Sequence, residues 1–386
     1  MKRVGILTGG GDVPGLNVVI KTVAQRCFAA DQEVVGIRRG WSGIVAVDPD
    51  DPQSRSEFLR PLSPGDVRSI DRFGGTMLHS SRTNPGEMRE KDLPPGLDVS
   101  GYPTTAKGRR DLTSLVTRNL EKLGIDALVV TGGDDTLGYA GKLHHSGFPV
   151  VGVPKTMDND VMGTDYCLGF STAITRSVDL INDLRTPAGS HERIAVIELF
   201  GRNSGATALY VGLLSAADRV LVSEVPFETE KICRMLADDQ DRSPSNYALC
   251  VISEGAKAID GEIFESGHED AYGHRKLGGI GDWLSEQIKH LTKRETLTQR
   301  LAYLMRSGKP DSLDRIVGMA YGALAYDLIS RGQSGFMTAL VGGRYEIVPL
   351  AVVGKGSRPA NIETYYDKDN YRPKLRDIVG RSILLA

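Results

Sequence analysis

The chain has 386 residues, of which 40% are hydrophobic, and its formal net charge is −2. This length suggests two or three domains with sizeable cores. The sequence has no basic stripe of the kind that binds nucleic acid, and no apolar run approaches the roughly 20 residues of a membrane-spanning helix. The N-terminal apolar run is too short for a signal peptide, so a cytoplasmic protein is expected. The cysteines form no CxxC pair, which favours buried free thiols over zinc ligands or disulfides: Cys27, Cys167, Cys233 and Cys250.

The first part of the chain predicts strands and helices that alternate. Residues 4–8 are typical of a buried strand, and after a glycine loop a helix is expected near 15–30. Leucines and valine at helical spacing predict a helix over 112–123, which Gly124 ends. The intervening segment 84–111 is rich in proline, glycine and charge, and it predicts a mobile surface loop.

The centre of the chain predicts a parallel sheet. A strand at 127–131, a helix near 136–146 and a strand at 149–153 form a unit whose crossover makes its strands parallel. A glycine-rich segment, 257–282, indicates a functional loop. A second α/β set is predicted with strands at 194–199, 220–222 and 248–252 and helices near 203–216, 229–240 and 312–331. The fold class is therefore α/β, with doubly wound parallel sheets.

Four carboxylates and one lysine follow two of the predicted strands. Asp134 and Asp135 come after the strand at 127–131, and Lys155, Asp158 and Asp160 come after the next strand. In an open α/β sheet ligands bind beyond the carboxyl ends of the strands, so these side chains are expected around one crevice. Carboxylates crowded together repel one another unless cations join them. A lysine and a hard divalent ion would neutralise these carboxylates. Such a combination of groups is typical of phosphoryl-transfer sites.

A glycine loop at residues 9–17 follows the first predicted strand. Glycines allow backbone N–H groups to approach an anion, and the helix that follows points its positive end there. The loop lacks the GK[ST] ending of a Walker A motif, and Pro14 interrupts the GxGxxG spacing. Taken alone, the loop is as compatible with a plain turn as with phosphate binding.

Five motifs resemble the phosphofructokinase family, and they occur in that family's order: GGDDT at 132–136, PKTMDND at 154–160, FGRNSG at 200–205, ISEG at 252–255 and LMRSGKPDSLDR at 304–315. ATP-dependent members typically read GGDGS and PGTxDND. This chain has Asp135 and Lys155 where those members have glycines. The sequence therefore resembles the pyrophosphate-dependent branch more closely.

The resemblance implies two doubly wound, Rossmann-like α/β domains with the active site in the cleft between them. A diphosphate and magnesium domain would comprise 1–168 and about 314–364, and a fructose 6-phosphate domain would comprise 169–313 and about 365–386. The implied reaction is reversible and Mg²⁺-dependent, in glycolysis and gluconeogenesis. Diphosphate would phosphorylate the 1-hydroxyl of fructose 6-phosphate, giving fructose 1,6-bisphosphate and phosphate.

The resemblance also implies the roles of individual residues. Asp158 matches the family's general base, which takes the proton of the attacking hydroxyl. Asp134 matches the magnesium-associated aspartate, and Asp160 is a possible second metal residue. Arg202 matches the arginine that stabilises the transferred group. The expected diphosphate site comprises Gly10, Gly11, Arg82, Asp135 and Lys155, and Gly10 matches a backbone donor that faces the transferred phosphoryl group.

Asp135 and Lys155 are expected to select the donor. Asp135 would occupy the space of the α-phosphate of ATP with a like charge, and Lys155 would neutralise the transferring or leaving phosphate. Tyr139 aligns with a glycine beside the adenine of ATP-using relatives and would narrow that space.

The sugar-phosphate side is expected to contain Thr156, Met157, Asp158, Arg193, Phe200, Gly201, Arg202, Glu254, Tyr303, Arg306 and Arg315. Arg193 and Arg306 resemble residues that reach the sugar 6-phosphate across a subunit interface, so a homodimer or homotetramer is implied. Glu254 would accept hydroxyl groups of fructose.

Two alternatives to this interpretation stay open on sequence alone. An ATP-dependent phosphofructokinase would have to accommodate Asp135 and Lys155. A non-catalytic, regulatory subunit of the family would be expected to lack the base, which this chain retains in Asp158. Two motifs depart from the usual family sequence: FGRNSG replaces MGRHAG or MGRxAG, and LMRSGKPDSLDR replaces a typical QRGGxPxxxDR. The departures at Asn203, Ser204, Ser307 and Lys309 leave the choice of sugar open and are compatible with sedoheptulose 7-phosphate as a further acceptor. The segment after about residue 355 contains no recognisable motif.

Overall fold

A computed structural model describes residues 2–259, 265–266, 276–376 and 379–380. Its strands are β1 Arg3–Thr8, β2 Glu33–Ile37, β3 Leu59–Pro61, β4 Ala127–Gly132, β5 Val150–Pro154, β6 Ile194–Leu199, β7 Arg219–Leu221, β8 Ala248–Ser253, β9 Glu265–Ser266, β10 Lys276–Leu277, β11 Thr296–Arg300, β12 Phe336–Val341, β13 Arg344–Pro349, β14 Tyr366–Asp367 and β15 Arg372–Pro373.

The helices are α1 Leu16–Ala29, α2 Gly40–Ala46, α3 Pro52–Phe58, α4 Pro64–Val67, α5 Thr113–Lys122, α6 Asp134–His145, α7 Phe170–Ser190, α8 Ala206–Leu214, α9 Thr229–Arg242, α10 Ile280–Thr292, α11 Ser312–Ser330 and α12 Ile362–Tyr365. Short 3₁₀ turns lie at Ile70–Arg72, Pro85–Glu87, Glu90–Asp92, Ala302–Leu304 and Leu350–Lys355. No helix in the described part of the chain is long and apolar enough to span a bilayer.

Two parallel sheets organise the chain. The first has seven strands in the order β13-β12-β5-β4-β1-β2-β3, in which only the edge strands β3 and β13 run antiparallel to their neighbours. The second has the order β11-β6-β8-β7 and is parallel throughout. Register aligns the carboxyl ends of the strands, with Thr8 opposite Thr131 in the first sheet and Leu199 opposite Ser253 in the second.

The central strands of the first sheet are covered on both faces. Val4, Ile6 and Val129 belong to one buried cluster, which includes residues of α1 and α11. Leu7 and Val130 point the other way, into a cluster with residues of α2, α5 and α6. Strands buried on both faces are continuous apolar runs, as the sequence predicted. The doubly wound α/β fold is thereby confirmed, and the limits given above for the two domains stay a prediction.

Several elements differ from the sequence predictions. The helix predicted near 136–146 begins earlier, at Asp134, so both acidic residues lie in its first turn. The segment 84–111 forms no long element, but Met88 pairs with Arg110 and is buried against the first sheet's helices, so the segment is anchored rather than a free surface loop. Of the predicted loop 257–282, residues 260–264 and 267–275 lie outside the described residues. All four cysteines are buried free thiols, as predicted.

A buried carboxylate joins α7 to α11. Asp314 accepts hydrogen bonds at 2.7 Å from the Tyr166 hydroxyl and the Gly169 amide, and at 2.9 Å from the Thr172 amide. The Thr172 hydroxyl also donates to it. Burial raises the pKa of Asp314 to about 6. This carboxylate satisfies N–H groups of the first turn of α7 that have no partner within that helix.

Replacing Asp314 is expected to destabilise the fold. Asp314→Ala would leave four buried donors unsatisfied, and each such donor costs about 1–3 kcal/mol. We expect the variant to lower the thermal unfolding midpoint far more than Asp51→Ala, which removes an exposed N-cap worth about 1 kcal/mol. Equal midpoints for the two variants would show that Asp314 does not hold the two helices together.

Candidate active site

A cavity of about 430 Å³ lies where loops at the carboxyl ends of both sheets meet. Its walls come from the loops after β1, β4 and β5 in the first sheet and after β6, β8 and β11 in the second. Fifteen of the residues predicted from the sequence line it: Gly10, Gly11, Arg82, Asp134, Asp135, Lys155, Thr156, Met157, Asp158, Asp160, Phe200, Arg202, Glu254, Tyr303 and Arg306. Gly10 and Arg306, which are 296 positions apart in sequence, thus line the same cavity.

Lys155 is the buried cation of the cavity. A Cβ atom added to Gly10 would lie 3.1 Å from the Lys155 ammonium, so the glycine permits the close approach of loop and lysine. The pKa of Lys155 falls to about 8, chiefly because burial disfavours the charged form and also because Arg306 is nearby. The Gly10 amide donates to the Ser81 carbonyl at 2.9 Å. In this structure that amide is therefore engaged within the protein rather than facing the cavity as a free donor.

The first turn of α6 presents its two aspartates to the cavity. Asp134 and Asp135 are the first two residues of that helix, where the helix dipole favours negative charge. The turn is held from behind, because the Trp41 indole donates to the Thr136 carbonyl at 3.3 Å. Tyr139, one turn further on, packs edge-to-face on Trp41 with ring centroids 4.7 Å apart. Tyr139 is 3% exposed and does not line the cavity, so it fills the core behind the wall.

The loop after β5 is shaped by Asn159. This residue has a φ of 54°, a left-handed conformation that asparagine tolerates better than most residues. Its side chain donates to the Asp165 carbonyl at 2.9 Å and accepts from the Cys167 amide at 2.7 Å. These bonds fix the turn so that the flanking Asp158 and Asp160 both reach the cavity.

Burial raises the pKa of the carboxyl groups in this loop. Burial raises the pKa of Asp158 to about 6, although the Arg202 amide donates to it, and Asp134 adds repulsion. Burial likewise raises the pKa of Asp160, with further repulsion from Asp158 and Asp134. Carboxylates that repel one another at a cavity wall attract a cation. Among the described residues, no group of three or more His, Cys, Asp or Glu side chains is arranged as a ready set of metal ligands.

The other side of the cavity combines aromatic rings with an arginine and a buried acid. The Arg306 guanidinium lies 4.6 Å from the Tyr303 ring centroid and 5.9 Å from that of Phe200, and its Nε lies 3.5 Å from Asp12. Burial raises the pKa of Glu254 to about 8, with repulsion from Asp158 as a further cause. Burial therefore favours the neutral form of Glu254, and a neutral carboxyl group can donate one hydrogen bond as well as accept others.

Three predicted residues do not line the cavity of this chain. Arg193 directly precedes β6, whereas the cavity lies beyond the opposite end of that strand. Arg315 is 51% exposed and lies 3.4 Å from Asp71. Gly201 is buried beside the wall with a φ of 142°, and its carbonyl accepts from the Ser223 and Ser253 hydroxyls.

Three charged wall residues were not predicted as site residues: Asp12, Glu198 and Arg300. Glu198, near the end of β6, accepts hydrogen bonds from the Gly279 amide at 3.0 Å and the Gly281 amide at 2.8 Å, and Arg300 ends the neighbouring strand β11. The rule that sites lie at the carboxyl ends of strands would have indicated Glu198. The strand that contains Arg300 was not predicted.

Carboxylates, a buried lysine and arginines in a cleft between two doubly wound sheets are groups typical of a phosphotransferase. The sequence model of the family described as Phosphofructokinase matches residues 3–329. The chain belongs to the phosphofructokinase family. It is therefore an enzyme of phosphoryl transfer to fructose 6-phosphate.

Individual relatives divide over the phosphoryl donor. A pyrophosphate--fructose 6-phosphate 1-phosphotransferase from Dictyoglomus thermophilum is 38% identical over 94% of this chain and 95% of its own length. The enzyme of the same name from Amycolatopsis methanolica is 40% identical over 90% of this chain and 93% of its own. An ATP-dependent 6-phosphofructokinase from Chloroflexus aurantiacus is 36% identical over 91% of this chain and 90% of its own.

Solved structures share the fold. A pyrophosphate-dependent phosphofructokinase from Marinobacter aquaeolei superposes with a TM-score of 0.77 at 19% identity, covering 100% of this chain and 92% of its own. Phosphofructokinase from Saccharomyces cerevisiae gives a TM-score of 0.73 at 21% identity, covering 92% of this chain and 45% of its own. These likenesses support the prediction of two Rossmann-like domains.

Proposed function

We propose that this enzyme uses diphosphate as its phosphoryl donor and converts fructose 6-phosphate reversibly to fructose 1,6-bisphosphate and phosphate. The observation that supports this most directly is that Asp135 and Lys155 line the same cavity as Asp158. An aspartate at the place of the α-phosphate of ATP would introduce a like charge. At a separation of ~4 Å and an effective dielectric near 20 this repulsion is about 4 kcal/mol, or roughly a thousandfold in binding.

In the proposed mechanism Asp158 accepts the proton of the 1-hydroxyl as its oxygen attacks the terminal phosphorus of diphosphate. The P–O bond to the leaving phosphate breaks as the new bond forms. Lys155 and Arg82 neutralise the diphosphate, and Arg202 stabilises the charge on the transferred group. Electrostatic stabilisation and positioning supply most of the catalysis in reactions of this kind.

Magnesium fits the residues at the donor side. Mg²⁺ is held through one or two carboxylates, retained waters and substrate phosphates rather than by a full cage of protein ligands. Asp134, with Asp160 in support, offers such carboxylates, whose mutual repulsion a cation would relieve. When bound, the ion would neutralise phosphate oxygens.

The sugar phosphate would bind on the aromatic side. Glu254 would hydrogen-bond hydroxyl groups of the sugar, and Arg306, held by Tyr303 and Phe200, would bind its phosphate. Asn203 also lines the cavity, at a position where the family usually has histidine. Sedoheptulose 7-phosphate belongs in the acceptor assay for this reason.

The test is a donor comparison with purified protein. Fructose 6-phosphate and Mg²⁺ are supplied with diphosphate or with ATP, and formation of fructose 1,6-bisphosphate is followed. We expect kcat/KM for diphosphate to exceed that for ATP by roughly a thousandfold. Equal or better turnover with ATP would make the enzyme an ATP-dependent phosphofructokinase. No turnover with either donor would favour the regulatory subunit.

We further propose that the active unit is a homodimer or homotetramer. Of the two arginines expected to reach across a subunit interface, Arg193 lies off the cavity of its own chain, as that role requires, whereas Arg306 lines that cavity. Large apolar side chains near Arg306 and Arg315 are exposed, which marks an interaction surface: Tyr303, Leu304, Ile316 and Met319. Closed symmetry is the common form of such assemblies.

Light scattering under assay conditions is expected to give at least twice the mass of one chain. Arg193→Ala is expected to raise KM for fructose 6-phosphate by at least tenfold, as loss of a charged phosphate contact does, without dissociating the assembly. Arg294→Ala, which removes an ion pair with Asp241, is the matched control. A monomer with full activity would contradict the prediction.

A further inference from the structure

The segment after residue 355, which carries no motif, crosses from one half of the molecule to the other beside the cavity. Val353, before the crossing, is buried in the cluster of the first sheet's helices. Tyr366, after it, is buried and donates its hydroxyl to the carbonyl of Val220 in β7 of the second sheet at 2.5 Å. We call residues 357–360 between these anchors the strap. Its sequence, Ser-Arg-Pro-Ala, includes a proline that restricts the backbone.

The strap is bonded to the loop that contains the proposed base. The Arg358 amide donates to the Asp160 carbonyl at 2.7 Å, and Ser357 pairs with Val161 in an antiparallel bridge. The Arg358 guanidinium lies 3.2 Å from a carboxylate oxygen of Asp165, and both side chains are about four-fifths buried. Asp165 in turn accepts the Asn159 side chain through its carbonyl. The strap therefore holds the segment 159–165 at three places.

The strap is also bonded to the loop after β6. The Asn203 side chain donates to the Ser357 hydroxyl at 3.4 Å. The Glu224 carboxylate accepts from the Ala360 amide at 2.7 Å and from the Gly205 amide at 2.9 Å. Asn203 and Gly205 are the first and last of the final three residues of the FGRNSG motif. The strap therefore contacts one end of this tripeptide directly and the other end through Glu224.

These contacts join the two reacting sides of the cavity. Asp158 and Asp160 come from the first sheet, whereas Arg202 and Asn203 come from the second. We propose that the strap is a positioning element for phosphoryl transfer: it fixes the base-bearing loop relative to the loop of Arg202, and Arg358 is its principal positioning residue. The departure from the usual family motif at Asn203 then has a structural role, because its amide reaches Ser357.

This inference rests on the proposed function for its kinetic test but not for its structural one. The first measurement is amide hydrogen exchange without substrate, in the wild type, Arg358→Ala, Arg358→Lys and Arg60→Ala. Arg60→Ala is the matched control, because it breaks a partly exposed ion pair with Asp66 on the edge strand β3. In Arg358→Ala we expect peptides covering 158–166 and 200–206 to exchange about tenfold faster, as loss of a charged hydrogen bond predicts. The lysine and control variants should resemble the wild type.

The second measurement is steady-state kinetics with fructose 6-phosphate and diphosphate. Misplaced catalytic groups reduce kcat, so we expect Arg358→Ala to lower kcat by about 10–100-fold with KM within about threefold. Arg358→Lys should recover most of this loss. If Arg358→Ala does not fold, Ser357→Ala provides the same two measurements through the contact with Asn203.

Exchange in both peptides at the wild-type rate would overturn the proposal. A fall in kcat without faster exchange would also overturn it, because the loss would then arise elsewhere. An inactive wild type with the expected exchange pattern would refute the proposed function and leave the strap supported.

Discussion

Asp158→Asn is expected to lower kcat by 10²–10⁴-fold, the usual effect of losing a positioned general base. The physical reason is that an amide cannot accept the proton of the attacking hydroxyl. KM for fructose 6-phosphate should change little, since Glu254 and the arginines supply the binding contacts. The measurement is kcat with saturating diphosphate, Mg²⁺ and fructose 6-phosphate. A near-normal kcat would show that another group takes the proton.

The same substitution is expected to leave stability unchanged or to increase it. Burial raises the pKa of Asp158 above its unfolded value of 3.8 to about 6, so the folded state disfavours the charged form. As pH rises from about 4 to about 6, the unfolded chain loses this proton first, and the free energy of unfolding falls. Asparagine carries no such charge. The stability that the variant gains over wild type should therefore be fully present above about pH 6. A lower thermal midpoint at pH 7 would contradict this account.

The second large effect concerns the donor. Asp135→Gly is expected to allow ATP to bind, because it removes both the charge and the bulk at the α-phosphate position. Turnover with diphosphate should fall, since the cavity is arranged around Asp135 and Lys155. Relative to wild type, the ratio of kcat/KM for ATP to that for diphosphate should rise by up to roughly a thousandfold. Asp135→Asn removes the charge but keeps the size of the side chain. Comparing it with Asp135→Gly separates the electrostatic from the steric exclusion of ATP.

A double-mutant cycle with Lys155→Gly sharpens this test. The double variant should shift further toward ATP, because diphosphate loses its neutralising cation and ATP gains space. The two changes should be non-additive, as they share one site. An unchanged donor ratio in Asp135→Gly would show that Asp135 does not exclude the nucleotide.

Tyr139 should not be replaced by a smaller residue in the same experiment. The sequence predicted that this phenol narrows the space for adenine, whereas in the structure it packs on Trp41 within the core. A truncation there would leave a cavity and cost about 3–5 kcal/mol. The ATP activity of Asp135→Gly can therefore be measured without a confounding loss of stability.

The sequence by itself determined the principal strands and the residues that follow them. Apolar β-branched runs identify β1, β4, β5, β6 and β8 because strands buried on both faces need apolar side chains at every position. Parallel strands place their carboxyl ends at one edge, so the residues after β4 and β5 had to meet. For this reason the cavity wall of Asp134, Asp135, Lys155 and Asp158 was predictable.

The tertiary structure alone decided how distant segments meet. Arg193 and Arg202 flank the same strand, yet only Arg202 reaches the cavity, because a six-residue strand separates its two ends by roughly 20 Å. Arg315 is turned toward Asp71, and Tyr139 toward Trp41, by packing partners far along the chain. The strap shows no recognisable pattern, because its partners Asp160, Asp165 and Glu224 lie more than 130 residues away in the sequence and meet it only in the folded chain. Local patterns specify elements, whereas contacts between segments more than a hundred residues apart depend on how those elements pack.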